Sequence, residues 1–450
     1  MIKLRFDKAL LPTGWADHVA IDVAEDGAIA KIETDQRDGS PASGVALPGL
    51  PNLHSHCFQR GMAGLAERRG EKADSFWTWR EVMYSFLERL TPDDVEAIAA
   101  EACVEMLEAG FTALGEFHYL HHAPGGTAYD DIAEMAGRIV EATRATGIGL
   151  TLLPVFYGEN GFAGEPLSPA QLRFGNDPER FARLLEASRT HLATLPDAQL
   201  GIAPHSLRAI RPEMFDDVLA LCPSGPFHIH AAEQTKEVEE CEAALGARPV
   251  EWLLDNVALD RRWCLVHATH MLPKETEGLA RSGAVAGLCP ITEASLGDGI
   301  FDGTRFLAAS GAFGVGSDSN VLISAAEELR MLEYSQRLKE RARNVLGEPA
   351  LSTGRRLYEG AAAGGAQVLA RPIGRLEVGC RADIVVLDQD HPTLVGREDD
   401  RLLDSYIFAG GPAAIADVYV GGEKKVESGR HVARTEIRER FAETMRRLVS

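Results

Sequence analysis

Eight short apolar segments alternate with amphipathic segments along most of the chain, and this alternation constrains the fold more than any other feature. The apolar segments are bounded by Gly or Pro, as is typical of parallel strands buried on both faces. Helical patterns lie between them; in 92–110, Thr91 is the expected N-cap and Pro92 the first helical residue. The alternation predicts an α/β fold, a (β/α)8 TIM-like barrel. The eight segments are 49–58, 111–119, 148–157, 199–207, 226–232, 263–270, 284–290 and 313–319.

The two ends of the chain have a different pattern. Residues 16–33 alternate apolar and polar side chains around an Asp-Gly turn signal, and 414–432 predict a hairpin around two consecutive glycines. The stretch 435–449 predicts a charged amphipathic helix. We therefore predict an accessory β-sandwich domain built from 1–46 and 376–450, including that helix, beside a barrel that spans 47–375.

Charge and cysteine usage exclude several classes of function. The 450 residues include 67 acidic and 46 basic side chains, a net charge of −21. So acidic a chain is a poor non-specific binder of nucleic acid or anionic membranes. No apolar run reaches the ~18 residues of a membrane span, and the first residues lack the apolar core of a secretory signal. The seven scattered cysteines predict reduced, buried thiols in a cytoplasmic protein.

Polar side chains stand where the predicted strands end. The carboxyl ends of barrel strands share one mouth, so these side chains are expected to converge there. Alternate residues of a strand point the same way, which lets an H-x-H pair hold one ion. Histidines and carboxylates that converge at such a mouth predict a transition-metal site. The residues are His54 and His56 on the first strand, His205 on the fourth, His230 with Glu233 on the fifth, His267 on the sixth and Asp318 on the eighth.

Several of these segments resemble the amidohydrolase superfamily, specifically its deaminase branch. They are LPGLPNLHSHCFQRGM, HIHAAEQ, LVHATH, GVGSDSN and, near the carboxyl end, GRLEVGCRADIVVLD. The resemblance covers nearly the whole chain and implies one Zn²⁺ per chain, with Fe²⁺ possible in its place. It implies that His54, His56, His230 and Asp318 hold the metal. Two-metal relatives carry a bridging lysine at the fourth strand, where this chain has APHSLR.

The segments HSHCFQRGMAG, DSFWTWRE, GEFHYLHH and PHSLRA are similar to the formimidoylglutamate deiminases. That family converts N-formimino-L-glutamate into N-formyl-L-glutamate and ammonia in histidine degradation. Two arginines at the mouth independently suit a small dianionic amidine, because a guanidinium binds a carboxylate through two hydrogen bonds. The resemblance also suggests a homodimer. It implies substrate-binding roles for Gln59, Arg80, Tyr119, His205 and Arg208.

The same placement predicts how the reaction is divided among the catalytic residues. Asp318 accepts a proton from the metal-activated water, Glu233 delivers a proton to the imino nitrogen, and His267 orients the nucleophile. Trp77 and Trp79 are interpreted as packing residues rather than as substrate-stacking residues.

Two alternatives remain open at this point. One is a zinc deaminase of another amidine, a guanidine or an aromatic amine such as guanine. The other is a non-catalytic barrel scaffold, which the intact set of four histidines, Glu233 and Asp318 disfavours. His118, His121 and His122 are interpreted as polar residues of the mouth that do not bind the metal, and 158–169 as a lid loop.

Overall fold

The computed structural model describes residues 2–37, 43–69 and 75–449. The strands are β1 Ile2–Leu11, β2 Gly14–Val23, β3 Ile29–Glu33, β4 Val45–Pro48, β5 Leu50–Ser55, β6 Phe111–His118, β7 Gly149–Phe156, β8 Gln199–Leu200, β9 Ala203–Pro204, β10 Phe227–Ala231, β11 Trp263–His267, β12 Val285–Leu288, β13 Ala312–Val315, β14 Ile384–Leu387, β15 Ile415–Val420, β16 Glu423–Glu427 and β17 Arg430–His431.

The helices are α1 Phe76–Leu87, α2 Pro92–Glu108, α3 Glu134–Thr146, α4 Pro178–Leu192, α5 Phe215–Ala220, α6 Thr235–Leu245, α7 Pro249–Asn256, α8 Pro273–Ser282, α9 Pro290–Leu296, α10 Gly303–Ala308, α11 Ala325–Glu340, α12 Thr353–Val368, α13 Asp400–Ser405 and α14 Arg434–Val449. Short 3-10 turns include Cys57–Met62, which directly follows β5.

Each of the eight apolar segments contains a strand, and the segments pair in parallel. One sheet has the order β5-β6-β7-β8, with β9 beside β7, and a second has the order β10-β11-β12-β13. The fourth segment is divided into β8 and β9 at Gly201, where a Cβ atom would lie 2.5 Å from the carbonyl oxygen of Pro226. The predicted α/β arrangement of parallel strands is confirmed.

Single bridges connect the two parallel sheets along both edges. Ile202 pairs with Phe227 and Ser206 with His230 on one side, and Ser55 pairs with Asp318 on the other. At the second contact the His56 amide donates to the Asp318 carbonyl at 2.9 Å, and the Asp318 amide donates to the His54 carbonyl at 3.0 Å. The first and last parallel strands therefore meet at the residues that the sequence marks as metal ligands.

Strands from both chain ends form one continuous eight-stranded sheet with the order β17-β16-β15-β14-β4-β1-β2-β3. Each strand of this sheet is hydrogen-bonded to the next. The predicted β-sandwich is therefore supported only as far as a sheet that both chain ends share. The predicted hairpin is β15–β16. The charged helix is α14, and it contacts the parallel-strand region, because Arg438 pairs with Glu101 of α2 at 2.8 Å.

Candidate active site

Four side chains form a compact donor cluster where β5, β10 and β13 end. Their ligand atoms all lie within 4.8 Å of one another, and all four side chains are buried. The Asp318 Oδ1 atom lies 3.4 Å from His54 Nε2 and 3.3 Å from His56 Nε2. The Nε2 atoms of His54 and His230 face each other at 3.2 Å. The residues are His54, His56, His230 and Asp318.

Backbone carbonyls orient two of these imidazoles. His56 Nδ1 lies 2.9 Å from the Phe117 oxygen, and His230 Nδ1 lies 3.0 Å from the His205 oxygen. Each Nδ1–H therefore donates outward and leaves an Nε2 lone pair pointing into the cluster, the usual arrangement of metal-binding histidines. Three inward nitrogens and one carboxylate match a divalent zinc-type site. The residues present fit such an ion.

The backbone at two site residues has left-handed φ angles, 67° at His267 and 44° at Asp318. Such angles are uncommon for non-glycine residues and require support from the surroundings. Asn320 supplies part of that support, because its Nδ2 donates to Ser55 Oγ at 3.0 Å, the His56 carbonyl at 3.0 Å and the Asp318 carbonyl at 3.1 Å. Asn320 thus fixes the segment that carries Asp318 against the segment that carries the H-x-H pair.

Glu233 and His267 form a buried acid–imidazole pair beside the cluster. His267 Nε2 lies 3.7 Å from Glu233 Oε1 and 3.9 Å from Asp318 Oδ2. Burial raises the pKa of Glu233 to about 7, so a large fraction of this carboxyl holds a proton at neutral pH. Burial alone would lower the pKa of His267, but the neighbouring carboxylates, Glu233 first, outweigh burial and raise it.

Two glutamates that the sequence analysis missed position this pair. Glu293 Oε1 lies 3.4 Å from His267 Nδ1 and accepts the Cys289 amide at 3.0 Å. Glu237 accepts the amides of Ala232 and Glu233 at 3.3 and 3.0 Å. A signal was available for Glu293, since it follows the seventh apolar segment in CPITEASL. Its contact with His267 depends on the path of α9, which the sequence pattern does not give.

The cluster opens into a small pocket. Arg208 is 8% exposed, and its buried Nε atom has no hydrogen-bond partner among the described residues. Burial opposes the charge on Arg208, yet the carboxylates of Glu237 and Glu233 outweigh burial and raise its pKa. A buried guanidinium without a close ion pair is suited to receive an anionic ligand.

Gln59 and Tyr119 line the same pocket and are joined to each other. Gln59 Nε2 donates to the Tyr119 hydroxyl at 2.8 Å, and that hydroxyl lies 3.2 Å from Met83 Sδ. The buried Gln59 Oε1 has no partner among the described residues. The Gln59 Oε1 atom is therefore free to accept a hydrogen bond from an N–H group of a bound molecule.

All eleven residues singled out from the sequence come together here. Ten line the pocket, and His54 lies behind them as the fully buried member of the donor cluster. Trp79 also lines the pocket. Asp74, the first residue of DSFWTWRE, lies outside the described residues. The ten are His56, Gln59, Arg80, Tyr119, His205, Arg208, His230, Glu233, His267 and Asp318.

The interpretation of His118, His121 and His122 as mouth residues is wrong. All three are at most 1% exposed and are absent from the described lining of the pocket. His121 Nε2 binds the Val155 carbonyl at 2.9 Å, and His122 Nε2 binds Asn176 Oδ1 at 3.0 Å. Each of these two histidines makes a hydrogen bond through Nε2 within the packed interior, so nearness to a strand end did not place them in the pocket.

Comparison with known proteins agrees with this fold and site. The amidohydrolase family model matches residues 45–425, so the chain belongs to the amidohydrolase family. A second model, the N-terminal domain of formimidoylglutamate deiminase HutF, matches residues 7–41. A formimidoylglutamate deiminase from Pseudomonas aeruginosa is 51% identical over 98% of this chain and 98% of its own length. Within the amidohydrolases, the chain therefore belongs with the formimidoylglutamate deiminases.

Solved structures share the fold of this chain. The crystal structure of an amidohydrolase from Brucella melitensis has a TM-score of 0.95 and 52% identity, covering 100% of both chains. An adenosine deaminase from Xanthomonas campestris with bound zinc has a TM-score of 0.82 at 20% identity, covering 99% of this chain and 98% of its own, and shows likeness of fold alone. Among the described helices, none has the length and apolar character of a membrane span.

Proposed function

We propose that the protein is a formimidoylglutamate deiminase, which hydrolyses N-formimino-L-glutamate to N-formyl-L-glutamate and ammonia. The observation that carries this proposal is the buried, unpaired guanidinium of Arg208 in the same pocket as the donor cluster. A substrate with two carboxylates and an amidine matches a pocket that contains two arginines together with acid–base groups. The relative from Pseudomonas aeruginosa supports it at 51% identity.

We further propose that one divalent ion is held by His54, His56, His230 and Asp318, zinc by preference and iron(II) as the other candidate. The donor set supports this assignment, because three imidazole nitrogens and one carboxylate suit both metals. When bound, zinc supplies the Lewis acidity that makes water nucleophilic at neutral pH.

The chain's own residues then divide the remaining work. Water adds to the formimino carbon, and Asp318 accepts its proton. His267 hydrogen-bonds the entering oxygen and stabilises the charge that develops on it. Glu233 delivers a proton to the terminal nitrogen, so that this nitrogen leaves as ammonia when its bond to carbon breaks. The oxygen of the water gives its second proton to the Glu233 carboxylate, which restores the acid, and remains as the formyl oxygen.

Other residues that line the pocket position the substrate. Arg80 and Arg208 each take one carboxylate, and the free Gln59 Oε1 accepts an amidine N–H. Tyr119 and His205 complete the hydrogen-bonding groups beside it. Holding the amidine carbon in place reduces the entropic part of the barrier.

The test is an ammonia-release assay with the zinc-loaded protein on N-formimino-L-glutamate and, separately, on guanine. We expect ammonia and N-formyl-L-glutamate from the first and no release from the second. Release from guanine alone would favour the aromatic-amine alternative. Formation of glutamate and formamide would show that the other C–N bond is broken. A protein that retains zinc and releases ammonia from neither substrate would favour the scaffold alternative.

We propose that the two parallel sheets close into a single (β/α)8 barrel over 47–375, with 1–46 and 376–450 forming the accessory domain. The single bridges at both sheet edges support closure. We also propose a cytoplasmic homodimer; the seven free, buried cysteines support a reducing compartment. Light scattering on the purified protein tests the dimer.

A further inference from the structure

Three cationic side chains converge on the ring of Trp77, at the edge of the pocket. The Cζ atom of Arg80 lies 4.7 Å from the ring centroid and that of Arg208 lies 5.8 Å from it. The Nζ atom of Lys236 lies 4.4 Å from the same centroid. All three distances are within the range in which an aromatic face attracts a cation. Trp77 is not among the described residues that line the pocket.

These cations come from three different parts of the fold. Arg80 and Trp77 belong to α1, Arg208 follows β9, and Lys236 lies in the first turn of α6. Cations that approach the same ring repel one another, and Arg80 and Arg208 make no ion pair within 4 Å in the described part of the chain. Lys236 is exposed and also lies 3.6 Å from Glu240. The indole ring is therefore a shared partner that offsets repulsion among the three cations.

A dicarboxylate is bound best when the two guanidiniums that receive it are held at a fixed separation before binding. Free arginine side chains lose rotamer freedom when they bind, and that loss weakens affinity. A ring that already contacts both guanidiniums removes part of this loss from the binding step. Two arginines held in this way favour a dianion over a neutral amidine.

We propose that Trp77 is a positioning residue, which sets Arg80 and Arg208 for recognition of a dicarboxylate without touching the substrate. The proposal deepens the proposed function and rests on it for the identity of the substrate. It makes the charge selectivity of the pocket depend on an aromatic side chain outside the pocket, with Lys236 as a third cation on the same ring.

The experiment measures binding of glutarate, an unreactive dicarboxylate with the carboxylate spacing of the glutamate part of the substrate, to the zinc-loaded protein by calorimetry. We expect Trp77→Leu to weaken glutarate binding about tenfold and Trp77→Phe, which keeps an aromatic face, to stay within about threefold of wild type. Zinc content is expected to be unchanged. For N-formimino-L-glutamate the KM should rise while kcat stays within about twofold, and turnover of a neutral formamidine should not change.

A second variant guards against misfolding of Trp77→Leu. Lys236→Glu replaces one of the three cations near the Trp77 ring with an anion and should weaken glutarate binding at least tenfold. The matched control is Lys274→Glu, at another exposed lysine, which should leave binding unchanged.

The proposal is overturned if Trp77→Leu binds glutarate as tightly as wild type, or if it loses kcat equally on the charged and the neutral substrates. Unchanged binding in Lys236→Glu also counts against it. Wild-type protein that binds glutarate but releases no ammonia from N-formimino-L-glutamate would sink the proposed function, while the glutarate comparison would still decide the role of Trp77.

Discussion

Glu233 combines burial with a position beside His267, and this combination determines what its removal should do. Glu233→Gln keeps the size of the side chain and removes the titrating proton, so zinc content should stay the same while kcat falls ~10²–10⁴-fold. Steady-state kinetics and metal analysis on the same preparation check this result. The matched control is Glu239→Gln, an exposed residue of α6, which should behave as wild type. Normal kcat in Glu233→Gln would exclude the carboxyl as the proton donor.

Arg208 gives a prediction about substrate selectivity. Losing a charge-assisted pair in a desolvated pocket costs ~2–4 kcal/mol, so Arg208→Met should lose ~30–1000-fold in kcat/KM on N-formimino-L-glutamate. Arg208→Lys should also be impaired, because an ammonium cannot form the two-pronged contact. On a neutral formamidine the variant should lose little kcat/KM, since that substrate never makes the interaction. The check is kcat/KM for both substrates in a cycle; equal fractional losses would mean that Arg208 supports the fold instead.

His56 gives the prediction for metal removal. It is one of the four donors that lie within 4.8 Å of one another, and three remaining donors leave the site open. We expect His56→Ala to lose most of its metal and nearly all activity, with the fold retained. Metal analysis after gel filtration measures the first effect and circular dichroism the last. Full zinc with normal turnover would contradict the ligand assignment.

The sequence was enough to predict that the candidate site residues lie together, because the positions at strand ends determine where these side chains point. A single strand is enough to align His54 with His56, and parallel pairing brings His230 and His267 to the same edge. Glu293 and Trp77 were beyond its reach as functional residues, because their contacts depend on how α9 and α1 cross the mouth. His118 was misplaced since β6 continues to that residue, which is buried behind the pocket.

Among the helices, α2 has the start that the sequence predicted. Asp94 accepts hydrogen bonds from the backbone amide and the side chain of Thr91, at 2.9 and 2.7 Å, and Thr91 accepts the Asp94 amide in return. Thr91→Ala should lower the free energy of unfolding by ~1 kcal/mol, since it removes this reciprocal cap. Urea denaturation measures the change. Thr190→Ala, at an exposed position within α4, is the control and should have a smaller effect; the reverse order would argue against the cap.

Element boundaries followed the sequence closely where local signals exist, as at Pro92 and Pro178, each the first residue of its helix. The division of the fourth strand at Gly201 was not predictable, because it arises from a close approach to Pro226 in a neighbouring strand segment. Local patterns do not contain such contacts between distant segments.

At the scale of the whole molecule, a buried network joins the chain-end sheet to the parallel strands. Asp383 Oδ1 accepts the Gly421 amide at 2.8 Å and lies 3.3 Å from Arg381 Nε. Arg381 and Arg371 both pair with Asp197, at 2.8 and 2.5 Å. Asp197 precedes β8, so this junction lies at the opposite end of the strands from the pocket. Burial raises the pKa of Asp383 from 3.8 to about 6.

This shift predicts how stability depends on pH. Because the folded pKa is the higher one, the contribution of Asp383 to stability is fully present below about pH 4 and is lost as the pH rises through about 6. In the wild type, the free energy of unfolding should fall by about 1–3 kcal/mol between pH 4 and pH 7, at about 1.4 kcal/mol per pKa unit. Asp383→Asn should abolish this fall. Urea denaturation across that range compares the two slopes, with the exposed Asp390→Asn as control. If the free energy of unfolding changes with pH equally in wild type and Asp383→Asn, the raised pKa of Asp383 is wrong.

The contact between the first and last parallel strands has a consequence for how the protein is made. Ser55 and Asn320 are 265 positions apart in the sequence, yet they are hydrogen-bonded to each other. This hydrogen bond lies beside candidate metal ligands from both ends of that interval. During synthesis the ribosome releases His54 and His56 long before Asp318 exists. A nascent chain therefore carries an incomplete donor set, and metal retention becomes a property of the finished polypeptide. Chains cut short before Asp318 lack one of the four donors and would retain a divalent ion less well than full-length molecules.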